Sequence, residues 1–466
     1  MSQNTIDQSV VFDLAIIHKY AGSGPRYTSY PTAPAFHEGY ADKEFAATLT
    51  ASNATGAPLS LYFHIPFCDT VCYYCGCNKV VTPDRKRVLP YMDHLFQEIE
   101  RIGQLVDKNR PVRQLHWGGG TPTYLNDEQI RALMAKTGEH FQLLPGDEGE
   151  YGIEVDPREV GPETMRTLRE VGFNRLSMGV QDFDPQVQKA VNRIQSEQIT
   201  LEVMRTAREL GFKSINIDLM YGLPHQTVES FTTTLKKVLE LSPDRLAVFN
   251  YAHLPQYFMP QRRIVDADLP SPAVKLDILK RTIEILTEAG YVFIGMDHFA
   301  KPEDEMAVAQ REGTMYRNFQ GYTTHAECDL IGMGATSISQ VGATYAQNLK
   351  ELPDYYARLD EGRIPTFRGY ELTEDDLIRR DVIMRLMCDF RLDFKAMADK
   401  HGIDFMAYFG SDLELLRDME NDGLLTITAT GLQVNPIGRL LIRNVAMAFD
   451  AHLKATTAKK IFSQTV

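Results

Sequence analysis

The sequence has no stretch that approaches the roughly 20 apolar residues of a membrane span. The longest early run, VVFDLAII, is short and broken by Asp13. The first residues, MSQNTIDQSV, lack the charged region followed by an apolar stretch that marks a secretory signal. The expectation is a cytoplasmic protein with no membrane partner, in a compartment where thiols stay reduced. An excess of positive charge is also missing. The 49 Lys and Arg face 62 Asp and Glu, for a net charge of −13. That argues against a nucleic-acid partner, which needs a basic face. A small anionic ligand stays compatible, because local Arg and Lys act against a distant, screened field. Cysteines are few, six in 466 residues, yet four of them fall within ten positions: Cys68, Cys72, Cys75 and Cys77. In a reducing compartment such a cluster reads as ligands rather than disulfides. No repeated apolar surface is apparent, so a monomer is the default.

What is present is a regular rhythm that begins at residue 59. Apolar, strand-like runs occur at LSLYFHI, QLHWGG, YGIEV, RLSMGV, INIDLMYG, RLAVFNY and YVFIGMD, with helical patterns between them. Strand and helix in alternation mean βα units and a parallel sheet. An internal repeat supports this: LREVGFNRLSMGV, ARELGFKSINIDL and LTEAGYVFIGMDH share a helix end, a glycine, an aromatic and a strand. Gly172, Gly211 and Gly290 fit left-handed helix caps. The expected fold is α/β, a partial (β/α) TIM-type barrel of about six units over residues 59–350. An open doubly wound sheet is the alternative. Residues 1–58 form an N-terminal arm in this division. Residues 351–466 form a mainly helical, winged-helix-like C-terminal domain, read from TEDDLIRRDVIMRLM and a helix, hairpin, helix pattern after it. Polar residues fall near the C-terminal ends of the strands: Glu154, Asp156, Gln181, Asp218, His253, Asp297 and His298. In either architecture ligands bind at that edge.

The cysteine spacing is C-x3-C-x2-C-x-C, just after the first strand. A structural zinc would take all four thiolates, although such sites usually draw on two separate knuckles. A 4Fe–4S cluster would use Cys68, Cys72 and Cys75 and leave one iron open. A redox dithiol needs only C-x2-C. With Tyr74 before the third cysteine, and the strip WGGGTPT at residues 117–123, the pattern resembles the radical S-adenosylmethionine (SAM) enzymes. There a backbone without side chains can approach the methionine part of SAM.

The resemblance narrows further. PRYTSYPTA, YFHIPFC, CGCNK, LHWGGGTPTYL, IEVDPRE, GFNRLSMGVQDF, NIDLMYGLP, FNYAHLP, GMDHFA, RNFQGYTT and GRLLIRN are similar to the oxygen-independent coproporphyrinogen III oxidase (dehydrogenase) family. The resemblance implies that Cys68, Cys72 and Cys75 hold the cluster and that Cys77 does not. It implies one SAM at the open iron, near Tyr62, Tyr74, Gly119, Glu154 and Ile338. Tyr62 and Glu154 would position it, and no protein general base is assigned. A second SAM would meet Gly120, Thr121, Gln181, Arg193, Asp218 and Ala252. The implied reaction is oxidative decarboxylation of two propionates of coproporphyrinogen III to vinyl groups, giving protoporphyrinogen IX in haem synthesis. A 5′-deoxyadenosyl radical takes a hydrogen from each propionate β-carbon; CO2 and one electron then leave. The chemistry implies a low-potential, flavodoxin-like electron donor and an electron acceptor that the sequence does not identify. The substrate carboxylates need Arg, Lys or backbone N–H donors, for which Arg26 with Tyr27, and Gln310 with Arg311, are the candidates. A rival within reach of the same resemblance is a haem-carrying chaperone. Such relatives typically lack the fourth cysteine and the PRYTSYPT arm, and both are present here.

Overall fold

The computed structural model describes residues 8–454 and 462–465. The chain packs as two compact units, each assembled from separated segments. One comprises Phe36–Thr282 and Glu327–Glu371; the other draws on Met1–Ala35, Ile283–Ala326 and Leu372–Val466.

In the first unit six strands alternate with helices. The strands are β1 (Leu59–Ile65), β2 (Pro111–Gly119), β3 (Glu150–Val155), β4 (Arg175–Gln181), β5 (Ser214–Tyr221) and β6 (Arg245–Asn250). The helices of the crossovers are α1 (Val88–Leu105), α2 (Asp127–His140), α3 (Pro162–Glu170), α4 (Glu197–Glu209) and α5 (Val228–Leu241). Neighbours in the sheet are neighbours in sequence, from β1 through β6, and every pair is parallel. With right-handed crossovers this order puts the helices on one face. A doubly wound sheet would reverse its strand order and divide the helices between two faces. The fold is therefore the six-unit partial barrel, as the repeat grammar predicts.

The strands form because their two faces have different fates. In β3, Tyr151, Ile153 and Val155 are buried, while Glu150, Gly152 and Glu154 are half-buried on the other face. In β4 the buried set is Leu176, Met178 and Val180, and Ser177, Gly179 and Gln181 lie opposite. In β5, Ile215, Ile217 and Leu219 are buried against Asn216, Asp218 and Met220. The period of two fixes both faces at once: a one-residue slip would turn the apolar set inward and the polar set onto the helices. Helices supply the matching stripe. Tyr91, Leu95, Ile99 and Ile102 of α1 are fully buried at helical spacing. Trp117 of β2 packs edge-on against Phe63 and Phe173. Truncating such a residue to Ala costs about 3–5 kcal/mol.

Two differences from the expected layout concern the strand list. YVFIGMD is not a seventh βα strand: Val292–Gly295 folds back as an antiparallel hairpin with His298–Ala300, within the second unit. A parallel strand instead flanks β1 on its other side, β7 (Asp329–Met333). Antiparallel strands β8 (Ile338–Val341), β9 (Thr344–Asn348) and β10 (Thr366–Glu371) continue the sheet beyond it.

The second unit is mainly helical. Helices Glu374–Asp389, Phe394–His401 and Phe405–Glu414 precede the hairpin Leu425–Ile427 with Gly431–Val434, and helix Ile442–Met447 follows. Strand Arg391–Asp393 adds to the hairpin, the arrangement expected of a winged-helix-like domain. N-terminal helix Leu14–Tyr20, capped by Asp13, belongs to the same unit. Among the described residues no helix is long and apolar enough to cross a membrane.

Candidate active site

The chain leaves β1 through Pro66 into the loop that carries the cysteines. Backbone hydrogen bonds fix both ends of that loop. Phe67–Cys68 pairs in parallel with Val80–Val81, and Thr82 N–H donates to the Cys68 carbonyl at 3.0 Å. Farther along, Tyr73 N–H donates to Val191 O at 2.9 Å, and the Asn192 amide to Val71 O at 2.8 Å. Cys68 and Cys72 are buried, Cys75 is half-buried and Cys77 is exposed. Tyr74 anchors the middle of the loop in an apolar cluster with Val187, Val191, Leu223, Tyr251 and Ile264.

Positive charge surrounds these thiols. Arg193 Nη1 lies 3.7 Å and Arg158 Nη2 3.8 Å from Cys72 Sγ. Thr121 Oγ1 lies 3.5 Å from Cys68 Sγ. Burial pushes the Cys68 thiol up to about 11. A hydrogen bond from Cys77, and then Lys79, hold Cys75 well below the ordinary thiol value. Among the described residues, no three of these four cysteines bring their sulfurs all within 4.8 Å of one another. Cys75 and Cys77 stand in hydrogen-bond contact with each other, and the other two thiols do not join them as one closed tetrahedral set of the kind a structural zinc takes.

A cleft of about 310 Å³ opens in front of the loop, a size typical of small-molecule sites. Cys68, Cys72, Tyr74, Cys75, Gly119, Gly120, Thr121, Glu154, Gln181, Arg193 and Asp218 all line it. The glycine strip at the end of β2 is there for close approach. Gly119 has φ +119°, and a Cβ on it would sit 2.7 Å from the His64 ring. A Cβ on Gly120 would meet Phe67 O at 2.7 Å, on the chain that leads into the cysteine loop.

The far wall comes from the half-buried faces of β3, β4 and β5. Glu154 accepts from Gly119 N–H at 3.2 Å and lies 3.6 Å from His116 Nε2. Desolvation pushes its pKa up, but His116 and the Gly119 N–H outweigh that and leave it below the ordinary value. Asp218 accepts from Asn216 at 2.7 Å and Ser177 at 3.2 Å. Burial, and then the Glu154 charge, push Asp218 up to about 7. At Gln181 the strand carries an irregularity, and this non-glycine residue sits at φ +69°. Such strain gathers at binding sites, where a bulge re-aims a side chain. Its Oε1 is buried without a hydrogen-bond partner, and so is Nε of Arg193. Arg193 is otherwise held by Asp156 at 2.9 Å and by the Gly179 carbonyl at 2.5 Å. An acceptor and a donor thus remain open in a cleft already shaped by glycine. This donor set fits a cluster at the thiols with a polar, charged small molecule beside it.

Three expected residues do not line the cleft. Tyr62 stacks on His116 with ring centroids 6.1 Å apart, behind Glu154. The Ala252 carbonyl accepts from Gln261 at 3.3 Å. Ile338 begins β8, its carbonyl 2.7 Å from where a Cβ on Gly332 would stand. His253 of the expected rim bonds to Tyr251 at 2.7 Å and Asp266 at 2.9 Å instead. Arg26, Tyr27, Gln310 and Arg311 belong to the second unit and are engaged there. Arg26 pairs with Asp297, Tyr27 donates to Asp450 at 2.9 Å, Gln310 donates to Ile294 and Cys388 carbonyls, and Arg311 donates to Pro302 O.

Sequence reasoning missed Arg158 and Gln261. Arg158 was visible in IEVDPRE, two residues past Asp156, and it grips that carboxylate at 2.7 Å. Gln261 ties Tyr74 O (2.9 Å) to Ala252 O from a short 3₁₀ turn that carries no periodic signal.

Comparison with known proteins finds relatives along the whole chain. Residues 62–238 match the Radical SAM superfamily, and residues 372–441 match the HemN C-terminal domain. An oxygen-independent coproporphyrinogen III oxidase of Salmonella typhimurium is 54% identical over 460 residues, covering 99% of this chain and 100% of its own. One of Pseudomonas aeruginosa is 51% identical over 461 residues, covering 98% and 99%. The solved structure of Escherichia coli coproporphyrinogen III oxidase (HemN), described as a radical SAM enzyme, is 53% identical with a TM-score of 0.91. It covers 95% of this chain and 100% of its own.

Proposed function

The chain belongs to the oxygen-independent coproporphyrinogen III oxidase family of radical SAM enzymes, and from that premise we propose that it converts two propionates of coproporphyrinogen III to vinyl groups. The product is protoporphyrinogen IX. Cys68, Cys72 and Cys75 would hold a 4Fe–4S cluster, with SAM at its open iron and a second SAM beside it. When bound, these groups supply a low-potential electron and, through SAM, a carbon radical that takes a hydrogen atom from the propionate. The single observation that carries the reading is that the four clustered thiols, two guanidiniums and the glycine strip open into one cleft with Glu154, Gln181 and Asp218.

The residues have distinct tasks. Arg158 and Arg193 point their guanidiniums at Cys72 Sγ, and Asp156 keeps both in place. Gly119 and Gly120 let a ligand reach the backbone. Glu154, ionised through His116, suits an ammonium group; Tyr62 stacks behind it and holds His116 flat. Gln181 offers its open acceptor, Asp218 its carboxylate and Arg193 its open Nε–H to hydroxyls and ring nitrogens. The walls exclude water from a reactive radical. An external low-potential donor supplies the electron that starts the reaction, and an acceptor takes the one left by each decarboxylation. A cytoplasmic monomer is the working state.

The test is anaerobic. The protein is reconstituted with iron and sulfide and given SAM, a reductant and coproporphyrinogen III; products are read by mass spectrometry. Vinyl product with about two CO2 per substrate, abolished in Cys68→Ala, is the expected result. Deoxyadenosine without vinyl product would overturn the substrate. Tight haem binding with neither product would favour the carrier reading.

A further inference from the structure

The second unit contains a charge imbalance that the cleft chemistry does not use. Arg26, Arg317 and Arg443 act on one neighbourhood, and Asp297 is the carboxylate among them. Asp297 is paired with Arg26. Arg443 is consumed as a backbone clamp: Nε donates to Pro25 O at 2.9 Å, Nη1 to Gln464 O at 2.6 Å, and Nη2 to Ser463 Oγ at 2.9 Å. Burial first, and then the Arg26 charge, draw Arg443 down to about 10, with Asp297 opposing them.

Arg317 is the member left over. It lies on the hairpin Tyr316–Asn318 with Gly321–Thr323 and is 3% exposed. Its Nε and Nη1 are buried with no hydrogen-bond partner. The guanidinium sits 4.6 Å from the centroid of the Tyr322 ring. The Tyr322 hydroxyl donates elsewhere, to Met387 O at 3.1 Å. A ring takes the flat face of a guanidinium and leaves its in-plane N–H groups unfilled. Arginine cannot escape by losing its proton. A buried cation in this state is completed by an anion, and a planar fork matches a carboxylate in two parallel hydrogen bonds. The surroundings define the rest of the ligand. Tyr322 belongs to a buried cluster with Ile294, Ala300, Met306, Met315 and Cys388. A strongly hydrated anion does not match that apolar lining; an acid on an apolar body does.

We propose that Arg317, stacked on Tyr322, is a receiving site for the carboxylate of a ligand with an apolar body. The Arg26–Asp297 pair, with side chains 40% and 17% exposed, is its wet edge. The inference rests on the proposed substrate only for the source of the carboxylate, which is either a tetrapyrrole propionate or a small free acid.

Two measurements on the full-length, reconstituted protein decide it. The first titrates coproporphyrin III and its tetramethyl ester by fluorescence into wild type, Arg317→Met and Arg317→Lys. For a propionate occupant, Arg317→Met weakens the acid about ten- to hundred-fold, the value of a charged hydrogen bond, and leaves the ester about where it was. Arg317→Lys falls between, because it keeps the charge and loses the fork. The second measures thermal unfolding of wild type and Arg317→Met in sodium propionate against sodium chloride at equal ionic strength. For a free acid, propionate raises the Tm of wild type and not of the variant, and acid-porphyrin affinity is unchanged. Equal acid affinity in wild type and variant, with no propionate effect on wild type, overturns the site. If the substitution prevents folding, the propionate effect on wild type still decides. If wild type binds neither porphyrin, the substrate reading fails, and the propionate arm judges Arg317 by itself.

Discussion

Asp218→Asn should relieve a pH-dependent instability in the cluster-free protein. Asp218 has its pKa raised from 3.8 to about 7, first by burial and then by Glu154. Between those values the folded state holds a proton that the unfolded state has released. Stability therefore falls as pH rises through this window and levels off above it. The whole shift corresponds to about 4 kcal/mol lost once Asp218 is forced to ionise, at ~1.36 kcal/mol per unit. Low pH is impractical, because the sequence pI is about 5.5 and the protein approaches zero net charge there. From pH 6 to 8.5 the linkage relation leaves about 1.4 kcal/mol to be lost by wild type and not by Asp218→Asn. The assay is urea unfolding followed by far-UV circular dichroism at four pH values, reported as variant minus wild type. That difference removes every titration the two proteins share. A gap that widens by about 1 kcal/mol or more toward pH 8.5 is expected. Parallel curves would mean that Asp218 ionises normally and would refute the burial argument. Glu154→Gln in the same series should narrow the gap, because it removes the second cause.

Asp156→Asn removes the carboxylate that Arg158 and Arg193 share at 2.7 and 2.9 Å. Two buried guanidiniums would then face each other beside Cys72, and a loss of about 3–5 kcal/mol is expected in urea unfolding; less than about 1 kcal/mol would mean the arginines find other partners. Gly120→Ala places a methyl 2.7 Å from Phe67 O and 2.8 Å from the Pro66 carbonyl carbon, both backbone. The chain entering the cysteine loop must shift, so iron bound per chain after reconstitution should fall at least several-fold, with about 1–3 kcal/mol of stability lost; full iron loading would show that the strip tolerates a side chain.

The barrel was legible because parallel strands covered by helices must be apolar on one face along their whole length. RLSMGV and INIDLMYG announce this directly. The same signal misled at YVFIGMD, whose local grammar matches the true units. Apolar runs report burial, and burial is the same in a βα strand and in a hairpin. What differs is the turn after the run: Met296 at φ +52° reverses the chain onto His298–Ala300. β8 and β9 read as ISQV and TYAQN, too short and too polar to register as strands. The rim carboxylates Glu154 and Asp218 were found from position alone, since strand ends point into the cleft. Arg193 was not, because it follows a six-residue helix with no face to read. Nothing in periodicity tells a solvated arginine from one aimed at a thiol; only the resemblance named it.

The cleft is divided by charge, and the division explains its contents. At the cysteine loop, Arg158 and Arg193 face Cys72, and Asp156 between them keeps two cations from repelling each other. The sulfur of Cys72 there meets two guanidiniums. Across the cleft the sign reverses. Gly179 pairs with Asp218 and Ser177 with Glu154, so the two acids lie on strands flanking β4. Burial and the Glu154 charge raise the cost of ionising Asp218, which climbs, while Glu154, with His116 behind it, stays below its ordinary pKa. Such an arrangement is poor for folding and good for binding. A ligand that carries positive charge on this side and can approach the thiols on the other relieves both costs at once. A sulfonium joined to an amino acid has that distribution of charge; a neutral nucleoside does not. The strain at Gln181 and the open Nε of Arg193 then read as stability given up in the free protein so that the ligand completes the wall.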